Sequence, residues 1–199
     1  MAPEAARLPQ VRADAEAVLR LRPDLVLAGQ YGAQTTIAAL RARGVPILQV
    51  GLPDDFAAIR AQARAVAAAL GAPARGEALL TAMDAQLAAL PHPSPAPTAV
   101  LLEPRGYTAG PGTLGDAVLH AAGYRNVGAG HVGLEQLLAH PPQVLVTAEA
   151  PRFPSLATAM LQHPALQAIP RAHFAPALLT CAGPFTARAA AEIAPKIVP

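Results

Sequence analysis

Short, wholly apolar runs, each entered through a proline and preceded by a helix-period segment, recur along this chain of 199 residues. Residues 13–21 (ADAEAVLRL) read as a short helix that Pro23 stops, because the residue before a proline is pushed out of the α region. Residues 25–28 (Leu-Val-Leu-Ala) follow as the first run. Residues 33–43 are the next helical segment, with Gly44 placed as its cap, and Val45-Pro46 leads into a second run at 47–50. Uninterrupted apolar runs suit strands covered on both faces. Helices between consecutive strands supply the crossovers that a parallel sheet requires.

Asp54 and Asp55 start a longer helix that ends near Leu70, where Gly71 and Pro73 stand. Residues 74–90 form another, with Leu79, Leu80, Met83, Leu87 and Leu90 on one face. It meets the proline-rich stretch 92–98 (HPSPAPT), which cannot continue a helix and is the clearest boundary in the chain. The alternation then resumes. A strand at 99–103 leads through a loop at 104–112 to helices at 113–122 and 132–139. A strand at 143–147, a helix at about 155–162 and a helical turn at 164–168 follow. The last elements are a strand within 172–179 and a helix from Thr186. The expected fold class is α/β with mainly parallel sheets flanked by helices. The half before residue 92 offers only two strands, so its sheet is expected to be incomplete and open-edged.

Charge narrows the functions. There are 15 Lys and Arg against 13 Asp and Glu, a net +2, and no window has the basic density that phosphate neutralisation needs; nucleic acid is not an expected partner. The single cysteine, Cys181, excludes an internal disulfide and a multi-cysteine metal site. Lacking a neighbouring His or base, it reads as a small buried residue and not a nucleophile. No two of the six histidines share an element at ligating spacing, so no metal site is expected. They are expected at the surface or at helix caps, with one of them left as a possible ligand to a bound metal chelate. No apolar run is long enough to cross a bilayer, and the chain does not open on a secretory signal.

Three groups of residues stand out as candidate sites. The loops following the presumed strands carry Gln30, Tyr31, Arg105, Tyr107, Arg152, Phe153 and Phe185, and these include four of the seven aromatic residues. In open parallel sheets the ligand crevice lies beyond those strand ends. Residues 106–114 (GYTAGPGTL) form a glycine-rich loop before a helix, where anions bind. That loop lacks the lysine of a phosphate-binding P-loop, so it reads more simply as a turn with Thr113 as N-cap. Finally, 15–27 (AEAVLRLRPDLVL) and 134–146 (LEQLLAHPPQVLV) repeat one supersecondary unit, with Glu16 and Glu135 in corresponding first turns. A carboxylate favours a helix N-terminus, which explains each glutamate singly.

These stretches, in this order, resemble the substrate-binding proteins of iron-chelate and cobalamin ABC importers, the helical-backbone class of periplasmic binding proteins. The resemblance is carried by 3–11 (PEAARLPQV), 16–27, 40–47 (LRARGVPI), 107–114 (YTAGPGTL), 121–127 (AAGYRNV), 134–146 and 181–186 (CAGPFT). It implies two α/β lobes: an N-terminal lobe at 1–73, a connecting helix at 74–92 and a C-terminal lobe at 93–199. It also implies a small-molecule metal chelate held between the lobes, a periplasmic location, and no enzymatic activity or resident cofactor. Glu16 and Glu135 become the carboxylates that dock onto arginines of an ABC permease in the inner membrane. Members begin with a signal peptide, a strand, a helix and a second strand before the part that matches 3–11. The chain is therefore expected to be a truncated form with an incomplete first lobe. Arg105, Tyr107 and Arg152 suit an anionic ferric siderophore, whereas the absence of Trp disfavours stacking on haem or cobalamin. Two other readings are a small α/β enzyme binding a phosphorylated ligand at 106–114, and an inert remnant that folds poorly.

Overall fold

The computed structural model describes residues 6–11, 13–148 and 156–195. Asp14 begins helix α1 (Ala15–Arg20) by accepting the Ala17 N–H at 2.7 Å. Strand β1 (Val26–Gly29), helix α2 (Gln34–Ala42) and strand β2 (Ile47–Val50) follow. The two strands pair in parallel, with Val26 opposite Ile47 and Gly29 opposite Val50. Among the described residues this sheet has the two expected strands. No residue in them is fully buried, and Leu27 is 47% exposed. The buried residues here come from the helices: Ala17, Ile37 and Leu40.

Asp55 caps helix α3 (Phe56–Ala69) by accepting the Ala58 N–H at 2.6 Å, and Pro73 opens helix α4 (Pro73–Ala88). The two helices pack as a hairpin. They approach closely at Gly76, where a Cβ would stand 2.5 Å from that of Ala67. Two ion pairs tie them together, Arg60 to Asp84 and Arg64 to Glu77, the latter with Nε–Oε1 at 2.7 Å. The Arg64 hydrogen bonds hold the Glu77 carboxyl below its ordinary pKa and raise that of the guanidinium.

The second half opens with β3 (Thr98–Leu101) and a two-residue strand β4 (Tyr107–Thr108). Helix α5 (Leu114–Ala121), the short strands β5 (Arg125–Asn126) and β6 (Gly130–His131), helix α6 (Leu134–Ala139) and β7 (Val144–Ala148) come next. Strand β8 (Arg171–Phe174) and helices α7 (Ala177–Thr180) and α8 (Ala187–Ile193) complete it. Four strands form a parallel sheet in the order β5-β3-β7-β8, and β4 pairs antiparallel with β6 as a separate ribbon.

Strand alternation explains why the apolar runs are continuous. On β3 and β7, Ala99, Leu101 and Val146 enter one core, shared with Val118, Leu119 and Ile193. Val100 and Leu145 enter the other, shared with Leu137, Leu166 and Ile169. The first core also takes in Phe56, Ile59, Leu80 and Met83 of the α3–α4 hairpin. Buried Tyr124 locks the end of α8 by donating its hydroxyl to the Ile193 carbonyl at 2.8 Å, and its burial pushes the phenol pKa up.

The structure departs from the sequence expectations in several places. The helix expected at 155–162 is, over its described part, two 3₁₀ turns at Leu156–Thr158 and Met160–Gln162. Pro164 holds His163 in extended backbone and prevents a longer helix. The strand sought within 172–179 ends at Phe174, because Pro176 starts α7. Strands β4, β5 and β6 are too short to leave a period in the sequence. Leu79 faces outward, 54% exposed, while Leu80 and Met83 are buried. Cys181 is exposed, not buried, in the turn after α7.

Candidate functional site

The strand-end loops are built by sharp local turns. After β1, the Gln30 N–H still bonds the Val50 carbonyl at 2.8 Å, and then Gly32 and Ala33 both take left-handed backbone, with φ of 93° and 51°. The Gln34 amide donates to the Gln30 carbonyl at 3.0 Å and closes the turn. The Gln30 side chain lies over Gly51, where a Cβ would come within 2.9 Å of its Oε1. Tyr31 is left 73% exposed, and Leu52, in the loop after β2, 76%.

After β3 the chain makes a tight excursion. The Glu103 N–H bonds the Tyr107 carbonyl at 2.7 Å, and Arg105 and Gly106 take φ of 63° and 79° to fit the 3₁₀ turn between them. The ribbon then sets Tyr107 opposite His131. Their rings meet edge to face, with centroids 5.5 Å apart at 85°. Gly106 is pressed into the base of this pair: a Cβ there would lie 2.5 Å from the Val132 carbonyl, 3.1 Å from Met160 Sδ and 3.3 Å from His131 Nε2. Thr147 and His173, paired across β7 and β8, share a 2.8 Å hydrogen bond at the same end of the sheet. Sequence spacing shows neither contact, because the ribbon sets His131 against Tyr107 and the strand register sets His173 against Thr147.

The glycine-rich loop is occupied by the protein itself. Thr113 caps α5 by accepting the Asp116 N–H at 3.2 Å, as expected. The Gly112 N–H, which an anion would need, donates to Asp116 Oδ2 at 3.1 Å. Asp116 Oδ1 accepts from Asn126 at 2.7 Å and lies 3.3 Å from His120. A carboxylate already fills the position a phosphate would take, which removes the support for the phosphate-binding reading.

The other candidates fall elsewhere. Phe185 lines an apolar groove of about 580 Å3 between α3, α4 and the turn before α8, with Val66, Leu70 and Leu79, apart from the other candidates. Arg152 and Phe153 lie outside the described residues. Glu16 and Glu135 are both exposed and each is the second residue of a six-residue helix, so the repeat in sequence is also one in structure. The Glu135 carboxylate turns back over its own helix start, with Oε2 3.4 Å from where a Gly133 Cβ would stand. Among the described residues no group of three or more His, Cys, Asp or Glu is placed to hold a metal ion, and no helix is long and apolar enough to cross a membrane.

The profile of the family described as periplasmic binding protein matches residues 8–172. The chain belongs to the periplasmic binding protein family. A cobalamin-binding protein of Halobacterium salinarum is 29% identical over 162 residues, covering 73% of this chain and 43% of its own length. The chain thus spans less than half of this curated relative. Two solved structures of periplasmic binding proteins are also similar. The periplasmic heme-binding protein RhuT from Roseiflexus sp. RS-1, in apo form, is 27% identical with a TM-score of 0.67, over 91% of this chain and 78% of that one. The heme-binding protein BhuT, in complex with two hemes, is 28% identical with a TM-score of 0.69, over 94% and 80%. The mainly parallel sheets flanked by helices are the architecture of this family.

Proposed function

We propose that the chain is the solute-binding component of an ABC importer that captures a metal chelate at its strand-end loops and presents it to an inner-membrane permease from the periplasm. The observation that carries this reading is the exposure of Tyr31, Leu52 and Tyr107 in loops that follow parallel strands, with Arg105 and the Tyr107–His131 pair in the loops of the second half. Phenol and imidazole are iron ligands, guanidinium binds carboxylate, and exposed apolar groups cover an organic frame. The family and the heme- and cobalamin-binding relatives support the same reading. An anionic ferric siderophore suits this set best, and the heme-binding relatives make heme the second candidate. By the resemblance the first lobe is 1–73, the connecting helix 74–92 and the second lobe 93–199, although α3 of that first segment packs into the core of the second sheet.

Titration with ferric heme, a ferric siderophore and cobalamin, followed by absorbance and thermal shift, tests this. One chelate is expected to raise the melting temperature. Arg105→Ala and Tyr107→Ala are each expected to weaken its binding about ten-fold, a loss of roughly 1.4 kcal/mol. No shift with any chelate would defeat the proposal.

Glu16 and Glu135 serve as the two docking points for arginines of the permease. Charge pairs of this kind set orientation and association rate and weaken with salt. Uptake by cells carrying the matching permease is expected to fall sharply in the Glu16→Ala, Glu135→Ala double variant, with chelate affinity unchanged. Undiminished uptake would remove the docking role.

A further inference from the structure

Strands β3, β7 and β8 are neighbours in one parallel sheet, so their C-terminal ends fall on a single edge. Leu101, Val146 and Ala172 stand in register across the three. One residue further on, at that edge, Thr147 faces His173. The chain leaving β3 at the same edge leads to Arg105. Strands β3 and β8 are two strand spacings apart, roughly 10 Å, so a ligand seated on the edge meets both ends.

Thr147 is the one polar residue of β7 and is 3% exposed, whereas His173 is exposed. The Thr147 hydroxyl has a single partner among the described residues, His173 Nδ1 at 2.8 Å. A buried hydroxyl must place its hydrogen on an acceptor. Nδ1 is the acceptor at hand, which leaves the proton of the neutral imidazole on Nε2. That Nε2–H has no acceptor among the described residues. In this form it donates a hydrogen bond and does not ligate a metal. Arg171, two residues earlier on the same face of β8, is already committed to the Leu161 carbonyl at 2.6 Å.

The fold does not require the pair. Val100 and Leu145 fill the same face of the sheet with apolar side chains. Replacing both partners of a hydrogen bond by apolar groups costs little. We propose that His173 is a further recognition residue for the chelate, its Nε2–H donating to an anionic oxygen of the chelate's organic frame. Thr147 is a positioning residue that acts only through the ring it holds. The assignment rests on the chelate-binding reading above and adds which atom is read, an oxygen and not the iron. An acidic siderophore and heme, through its propionates, both present such an oxygen.

Absorbance titration of the 199-residue chain with ferric heme, ferric heme dimethyl ester and ferric enterobactin tests this. With the anionic chelate that binds, His173→Ala is expected to weaken binding about ten-fold. The absorption maximum of the bound chelate should stay in place. His173→Gln keeps a donor and should recover most of the loss. Thr147→Val should lose about three-fold, and the double variant Thr147→Val, His173→Ala no more than His173→Ala alone. Where heme is the ligand, its dimethyl ester should not distinguish His173→Ala from the unchanged protein. Melting temperatures of all these variants should stay within about 2 °C of the unchanged protein. A displaced absorption maximum in His173→Ala would make the residue an iron ligand and overturn the proposal. Unchanged affinity, or losses from the two single changes that simply add, would overturn it too. Full binding by His173→Ala leaves the importer reading intact, whereas no binding by the unchanged protein defeats that reading and this one together.

Discussion

Leu80→Ala is expected to destabilise the protein by about 2–5 kcal/mol. Leu80 is 1% exposed on α4 and, with Met83 beside it at 2%, enters the core that holds Ile59 of α3, Val118 and Leu119 of α5 and Ile193 of α8. Removing its side chain leaves a void bordered by three packed layers that cannot all close in, which puts the loss in the upper part of that range. In a thermal melt this lowers the midpoint by roughly 2–4 °C for each kcal/mol. The neighbouring Leu79→Ala is the internal comparison. Leu79 is 54% exposed at the apolar groove, so its loss is expected to stay within about 0.5 kcal/mol. Equal losses at the two positions would mean that α4 does not present this face to the second sheet.

Gly106→Val should disable chelate binding more severely than any change at a contact residue. Its φ of 79° already excludes a β-branched residue without strain, and the new Cβ would meet a backbone carbonyl, that of Val132, at 2.5 Å. The strain alone is of order 1–3 kcal/mol, and the ribbon must shift to relieve the clash. That shift moves Tyr107 and His131 off their edge-to-face contact and turns Arg105 away with them. Chelate affinity is expected to fall more than ten-fold, read by the same absorbance titration. Gly112→Ala separates strain from displacement: Gly112 has φ 77° with nothing within 4 Å of a Cβ. It should lower stability and leave chelate binding as it was. Identical binding losses at both glycines would show that loop strain, not the position of the ribbon, governs capture.

What the sequence showed and what it hid follow from the range of the interactions. Strand β2 lies at 47–50 as expected, and Asp55 and Thr113 cap their helices, because a proline, an apolar run and a capping side chain act within a few residues. The parallel order follows from helices between strands. The ribbon of β4 and β6 was illegible, because its two-residue strands are fixed by partners more than twenty positions away, Tyr107 on His131. The same distance hid the pairing of Thr147 with His173. Sequence position groups Phe185 with the strand-end aromatics; the turn before α8 sends it instead into the groove between α3 and α4.

The α3–α4 hairpin belongs by packing to the second sheet, since Phe56, Ile59, Leu80 and Met83 share its core while neither β1 nor β2 contributes a fully buried residue. The protein is therefore divided unevenly as a cooperative unit. On heating, residues 15–50 have little apolar burial to hold them and open at low free energy, while the hairpin and the four-stranded sheet persist together until the global transition. That half also carries Tyr31 and Glu16, so a ligand or partner held there is expected to raise its opening free energy more than that of the second sheet.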